Sequence, residues 1–374
     1  MQPSAVRLIL PGNVRHNSGG NAYNAAFGRA LDALGVPVST RTADGNWPVG
    51  SPADREALGN LLAEPAGPGT VILVDGLVAC GAPEQLEAAA QAGSPVWILL
   101  HMPLDGYADL EGRALAAAAG VICSSSSAAA DLRARHGLDA NATATATATG
   151  TASTTVAVAL PGTDPAHPAA GSTPPHLAMV AALLPNKSQL LFLQALAALT
   201  DLDWTAALVG AETADPGYAA LLRAETERLG LGGRVRIPGE LRAAALETEW
   251  ARTDLTLLIS RAETYGMAIT ESLARGIPAI IRQGTGALEA LTAGTPQAGL
   301  QAGQQAAADE VDDRGLPGAA VVLSEDPAPL VDLLSRWLTE PELRATWRTN
   351  ALDARQHLPG WDATARGVLE ILGR

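Results

Sequence analysis

A chain of 374 residues is longer than one comfortable hydrophobic core supports, so two lobes of ordinary domain size are expected. Apolar residues make up 47% of it and aromatics only 3%, so the cores must be filled by Ala, Leu, Val and Ile, which suits helices packed closely on parallel sheets. The net charge of −14 repels polyphosphate backbones and anionic lipid heads at long range, which argues against a nucleic-acid partner.

Cys80 and Cys123 each adjoin an apolar run and read as buried free thiols. The N-terminus lacks a signal-peptide pattern, and the uncharged stretch between Arg113 and Asp131 is too rich in Ala and Ser for a membrane span. A cytoplasmic protein without stable membrane insertion is the expectation.

Short β-type runs alternate with helical stretches, the pattern of parallel sheets with crossover helices. Val6–Leu10 is predicted as the first strand. It leads into the turn-rich Pro11–Gly20, which contains Ser18-Gly19-Gly20, and then a helix from about Asn21 to Leu34. Strands at Val36–Thr40, Thr70–Val74, Val96–Leu100, Val121–Cys123 and Val156–Leu160 complete a first lobe over 1–170. Residues 142–149 alternate Ala and Thr and read as a loop or exposed ribbon; Pro161–Pro175 reads as the interdomain linker.

A second lobe over 176–358 restarts the alternation. Strands are predicted at Leu177–Leu183, Trp204–Val209, Val235–Ile237, Leu255–Ile259, Ala279–Ile281 and Ala320–Leu323. Helices are predicted at Ser188–Leu199, Gly217–Leu229, Arg242–Arg252 and Met267–Arg275, and Thr295–Gly318 reads as a long surface loop. Helices fill the chain from Pro327, with a break at Pro359-Gly360. The last one, Trp361–Leu372, is expected to pack back on the first lobe.

The most informative stretch follows Leu255–Ile259. A loop carries Glu263, a helix opens near Gly266, and Glu271 lies inside it, about 7 Å along the axis at 1.5 Å per residue. Free N–H groups of the first helical turn favour an anion such as a diphosphate, and Gly266 leaves room for close approach. The two carboxylates can accept hydrogen bonds from hydroxyls at opposite ends of one ligand.

Glu263 and Glu271 have the spacing of the E-x7-E motif of retaining GT-B glycosyltransferases of family 4. The flanking strand, Gly266 and the Ala274-Arg275-Gly276-Ile277-Pro278 segment also resemble that family. The resemblance implies an α/β GT-B fold, two Rossmann-like parallel-sheet domains facing across a cleft. The first domain would be acceptor-side and the second would bind a nucleotide-sugar donor. Glu263 would hold the sugar and Glu271 the ribose, with the amides of Tyr265, Gly266, Met267 and Ala268 at the donor.

Lys187, in Leu183-Leu184-Pro185-Asn186-Lys187-Ser188-Gln189, resembles the family's donor-phosphate lysine. The family often carries an arginine five residues earlier; here Ala182 stands there, and Arg261 and Arg15 are the candidate substitutes. Gly284-Thr285-Gly286-Ala287-Leu288-Glu289 resembles a Gly-rich turn that approaches the donor, although a plain strand-to-helix turn reads almost as well. Gly19 and Gly20 resemble a loop near the donor phosphates, and His101 a histidine near sugar and acceptor. Pro161-Gly162-Thr163-Asp164 resembles the turn that closes the first lobe, and Ser124–Ser127 read as helix caps.

The expected activity is therefore transfer of a hexose from a UDP- or GDP-sugar to an unspecified acceptor hydroxyl, with retention of configuration. His101, Lys187 and Glu263 would be its catalytic residues. No metal or other cofactor is expected: Asp201-Leu202-Asp203 precedes its strand, at the wrong sheet edge for a metal motif, and the six histidines show no ligand spacing. A nucleotide-sugar epimerase or hydrolase of the same fold, and a non-catalytic nucleotide-sugar-binding protein, are the alternatives.

Overall fold

The computed structural model describes residues 2–14, 18–138, 154–295 and 315–373. Arg15, the Ala/Thr repeat and most of the loop expected over Thr295–Gly318 lie outside the described residues. The chain divides into two compact units, Met1–Gly162 with Trp361–Arg374, and Thr163–Gly360.

In the first unit the elements run β1 (Ala5–Pro11), α1 (Gly19–Ala33), β2 (Val38–Ala43), α2 (Pro52–Ala63), β3 (Thr70–Asp75), a single turn α3 (Gly76–Ala79) and α4 (Pro83–Gln91). They continue with β4 (Val96–Leu100), α5 (Ala108–Ala117), β5 (Gly120–Cys123), α6 (Ser126–His136) and β6 (Val156–Val158). The six strands form one parallel sheet in the order β2-β1-β3-β4-β5-β6. Central strands such as β5 are buried at every position, as a sheet covered on both faces requires. Side chains set the helix starts. Ser18 Oγ accepts Asn21 N at 3.1 Å, Ser125 Oγ accepts Ala128 N at 3.0 Å, and Ser51 forms a capping box with Asp54. Each such cap is worth about 1 kcal/mol. Because Ser18 is the cap, Gly19 and Gly20 belong to the first turn of α1 and do not form a loop ahead of it.

The second unit runs β7 (His176–Val180), α7 (Gln189–Ala197), β8 (Thr205–Val209), α8 (Pro216–Arg228), β9 (Val235–Gly239), α9 (Ala243–Arg252) and β10 (Leu255–Leu258). It continues with α10 (Met267–Ala274), β11 (Ala279–Arg282), α11 (Ala287–Leu291), β12 (Gly318–Val321), α12 (Ala328–Thr339) and α13 (Pro341–Ala354). Its parallel sheet has the order β12-β11-β10-β7-β8-β9. Phe192, Trp204, Trp337 and Trp347 pack with Leu and Ala side chains into one core, so the few aromatics sit where they remove most area from water.

The Pro- and Gly-rich stretch expected as a linker is instead strapped to the second unit from Thr163 onward. Ala169 N donates to Arg275 O at 2.9 Å, Ala170 N to Ala251 O at 2.9 Å, and the Arg348 and Arg355 guanidinia donate to Ala169 O and Ala166 O at 2.6 and 2.7 Å. The chain then returns: α14 (Trp361–Leu372) belongs to the first unit. There Trp361 meets Tyr23 edge-on with ring centroids 5.3 Å apart, and Thr364 Oγ1 donates to Leu160 O at 2.8 Å.

Candidate active site

The order of the second sheet reverses at β7. The chain builds outward through β8 and β9, then crosses back to β10 and builds the other way. The loops leaving β7 and β10 therefore lie at the switch point, on the carboxyl edge where such sheets bind ligands. The loop after β7 tightens into the turn Pro185–Lys187, and Ser188 follows at φ 60°. The loop after β10 joins it directly, for Arg261 N donates to Asn186 O at 2.7 Å. Across that junction Lys187 Nζ meets Glu263 Oε2 at 2.8 Å, and Ser260 Oγ donates to the same oxygen at 3.1 Å. Glu263 Oε1 has no hydrogen-bond partner among the described residues.

Two glycines set the path of this loop. Gly266 has φ +96°, and a Cβ there would lie 2.7 Å from Leu258 Cδ2, so the chain turns tightly into α10 where a side chain would not fit. No side chain caps α10, which leaves the first-turn N–H groups of Met267 and Ala268 without a side-chain acceptor at the positive end of the helix dipole. Gly286 N donates to Glu263 O at 2.7 Å, and a Cβ on Gly286 would fall 2.0 Å from Thr264 O. The Gly284–Gly286 turn thus acts on the Glu263 loop by backbone contact. Tyr265 turns its ring inward and is 3% exposed; its Oη has no hydrogen-bond partner among the described residues, and burial with Glu289 nearby raises its pKa.

Glu271 sits one and a half turns into α10 in different surroundings. Burial raises its pKa; Arg275 opposes the shift, and Asp164 and Glu247 add to it. Glu263 and Glu271 therefore have different charged neighbours, Lys187 for the first and Arg275, Asp164 and Glu247 for the second.

The substitutes considered for the arginine absent at Ala182 fare differently. Arg261 is exposed and pairs with Glu325 at 2.7 Å. Arg282, which the sequence did not single out, is 9% exposed at the end of β11. Its Nε donates to Ile259 O at 3.0 Å, one terminal nitrogen to Leu323 O and the other to Ser188 Oγ at 3.3 Å. Burial and Arg261 lower its pKa, with Glu325 opposing. It holds a positive charge beside the Lys187 turn with no carboxylate in salt-bridge reach among the described residues. The available signal was a charge closing the apolar run Ala279–Ile281.

In the first unit the corresponding reversal lies between β1 and β3. His101 follows β4, and a Cβ on Gly20 would lie 3.0 Å from its Cδ2, whereas Gly19 has open space around it. His101 Nε2 is 3.0 Å from Asn24 Oδ1 and 3.5 Å from Asp75 Oδ2, and Asn24 Nδ2 donates to Asp75 Oδ2 at 2.8 Å. Burial lowers the His101 pKa, with Asp75 opposing. The loop beyond His101 is pinned by the buried Glu111, which accepts Leu104 N at 2.7 Å and pairs with His136 at 2.7 Å. Asn24, Asp75 and Glu111 were not read from sequence. The buried His176–Glu249 pair starts β7, at the opposite sheet edge, and ties strand to helix.

Among the described residues, no group of three or more His, Cys, Asp or Glu side chains has a metal-binding arrangement, and no helix is long and apolar enough to cross a membrane. Cys80 and Cys123 are buried free thiols, and burial pushes Cys123 up to about 12, too high for a nucleophile near neutrality.

Solved structures share this architecture at low identity. HepE of Anabaena, in complex with UDP, aligns over 99% of this chain and 99% of its own with TM-score 0.67 and 17% identity. Sucrose-phosphate synthase of Thermosynechococcus elongatus aligns over 98% of each chain with TM-score 0.72 and 16% identity. The catalytic domain of Arabidopsis thaliana starch synthase IV, bound to ADP and acarbose, aligns over 100% of this chain and 99% of its own with TM-score 0.68 and 14% identity. No curated protein matches the chain significantly. Residues 163–353 match the family described as Glycosyl transferases group 1, a span that takes in Lys187, Glu263, Glu271 and Arg282. With two six-stranded parallel sheets of the GT-B kind, the chain belongs to the glycosyl transferases group 1 and is a glycosyltransferase.

Proposed function

We propose that the enzyme is a retaining hexosyltransferase of family 4 that takes its sugar from a UDP- or GDP-sugar and needs no metal ion. The donor lies at the carboxyl edge of the second sheet. Its diphosphate meets Lys187 and the amides of Met267 and Ala268, its hexose meets Glu263, and its ribose meets Glu271. The observation that carries this reading is the 2.8 Å pair between Lys187 and Glu263: an ammonium of the kind that neutralises phosphate stands beside a carboxylate of the kind that accepts from hydroxyls, which supports both roles.

Departure of the nucleoside diphosphate builds negative charge, and fixed cations and helix amides that stabilise it there lower the barrier without reorganising. With no basic side chain required behind the sugar, the departing phosphate itself takes the acceptor hydroxyl's proton on the face it leaves, which gives retention. HepE bound to UDP and starch synthase IV bound to ADP support a nucleotide donor. The buried free thiols fit a cytoplasmic enzyme. The test is turnover of a panel of UDP- and GDP-hexoses with and without EDTA. Release of nucleoside diphosphate that survives EDTA and falls about 10²- to 10³-fold in Lys187→Ala is expected. Loss of turnover in EDTA, restored by magnesium, would reject the metal-free reading.

A further inference from the structure

Two polar side chains from separate elements meet behind the ring of His101. Asp75 ends β3, Asn24 lies on α1, His101 follows β4, and the Asn24 and Asp75 side chains are buried. The chemistry of the first dictates the rest. A carboxylate oxygen only accepts, so the Asn24 amide must turn its nitrogen to Asp75 Oδ2, which it meets at 2.8 Å. Its carbonyl Oδ1 is then the atom 3.0 Å from His101 Nε2, and it too only accepts, so Nε2 carries the proton. Asp75 cannot swing away, because its other oxygen accepts Leu77 N at 2.9 Å and starts α3. Tyr23, edge-on at 5.1 Å, and Gly20 bound the ring plane.

We propose that Asp75 and Asn24 are positioning residues that lock His101 as the Nε2–H tautomer and leave Nδ1 as a hydrogen-bond acceptor for a substrate hydroxyl. The effect on turnover rests on the transferase reading; the tautomer does not. An uncharged acceptor nitrogen suits a sugar or acceptor hydroxyl and disfavours an anionic oxygen.

Long-range proton–nitrogen correlation on 15N-histidine-labelled enzyme at pH 7 reads the tautomer directly, with the His101 signals identified by their loss in His101→Asn. A pyrrole-type Nε2 and a pyridine-type Nδ1 are expected. In Asp75→Asn, which keeps an oxygen to start α3 but lets the Asn24 amide turn over, the two signals should move toward each other as tautomers mix. A protonated Nδ1 in the native enzyme, or unchanged signals in Asp75→Asn, overturns the proposal. Turnover supplies the second readout. Asp75→Asn and Asn24→Ala should lower kcat about tenfold, the scale of a small misplacement, with donor KM held within about twofold. His101→Asn, whose amide oxygen takes the place of Nδ1, should retain more activity than His101→Ala. If the native enzyme turns over no nucleotide sugar, the transferase reading fails while the nitrogen signals still decide the tautomer.

Discussion

Lys187 and Glu263 share one contact, yet under the proposed function the two charges have opposite tasks once a donor arrives. Lys187→Ala removes a stabiliser of the leaving group, and kcat should fall about 10²- to 10³-fold in steady-state assays. Glu271 makes a different prediction. Its pKa is raised by burial, with Asp164 and Glu247 adding to the effect, so the carboxylate that would accept ribose hydroxyls forms only above the ordinary glutamate range. Donor KM should therefore fall as pH rises through that raised value, and Glu271→Gln should flatten this limb while raising KM about tenfold or more. In stability the sign is opposite: a carboxyl with a raised folded pKa favours the fold most below its unfolded pKa, and that contribution is lost as pH rises through the folded value. Glu271→Gln should consequently be no less stable than the native protein at pH 7. What sequence revealed at this scale was local. Glu263, Glu271 and Lys187 sit at fixed offsets from strand ends and helix starts, and those offsets are visible in one dimension. The partnerships of Asn24 with Asp75, His101 with Asn24, and Arg282 with Ser188 span 51, 77 and 94 residues, and no offset marks them.

Among the elements, the loop after β10 is the one whose shape matters most, and its neighbours hold it by backbone. Gly286→Ala would drive a methyl group to within 2.0 Å of Thr264 O, so the Glu263 loop or the 284–286 turn must move. A stability loss of about 1–3 kcal/mol is expected, measured by urea unfolding. The loss in kcat/KM should reach about 100-fold if the displaced segment carries the carboxylate proposed to hold the sugar. Arg282 holds three such loops at once through Ile259 O, Leu323 O and Ser188 Oγ. Lysine cannot span three acceptors, so Arg282→Lys should behave like a loss and lower stability by about 2 kcal/mol. Strand positions were legible because parallel strands are continuous apolar runs; Val96–Leu100 is bounded as read. Of the first-unit helices after α1, α2, α4 and α5 were not; α2, Pro52–Ala63, for one, offers little contrast between its faces. The Pro/Gly stretch misled for a related reason: composition reports flexibility of the free chain, whereas Arg348 and Arg355 bind its carbonyls.

On the scale of the whole molecule, each unit owns a sheet and a core, so each should answer separately to perturbation. UDP at 100 times its dissociation constant should raise the calorimetric transition of the second unit by the equivalent of about 2.7 kcal/mol and leave that of the first in place. Truncation before Trp361 should do the reverse, lowering only the first. The placement of α14 also bears on synthesis. Residues 163–360 leave the ribosome as an uninterrupted block, whereas the first unit, begun earlier, completes its packing only when Trp361 arrives to lean on Tyr23, the ring that in turn borders His101. A nascent chain stalled at Gly360 should thus be cut faster by protease in its earlier portion than the full chain is, with its later portion equally resistant in both, because the Tyr23 ring beside His101 still lacks the Trp361 contact.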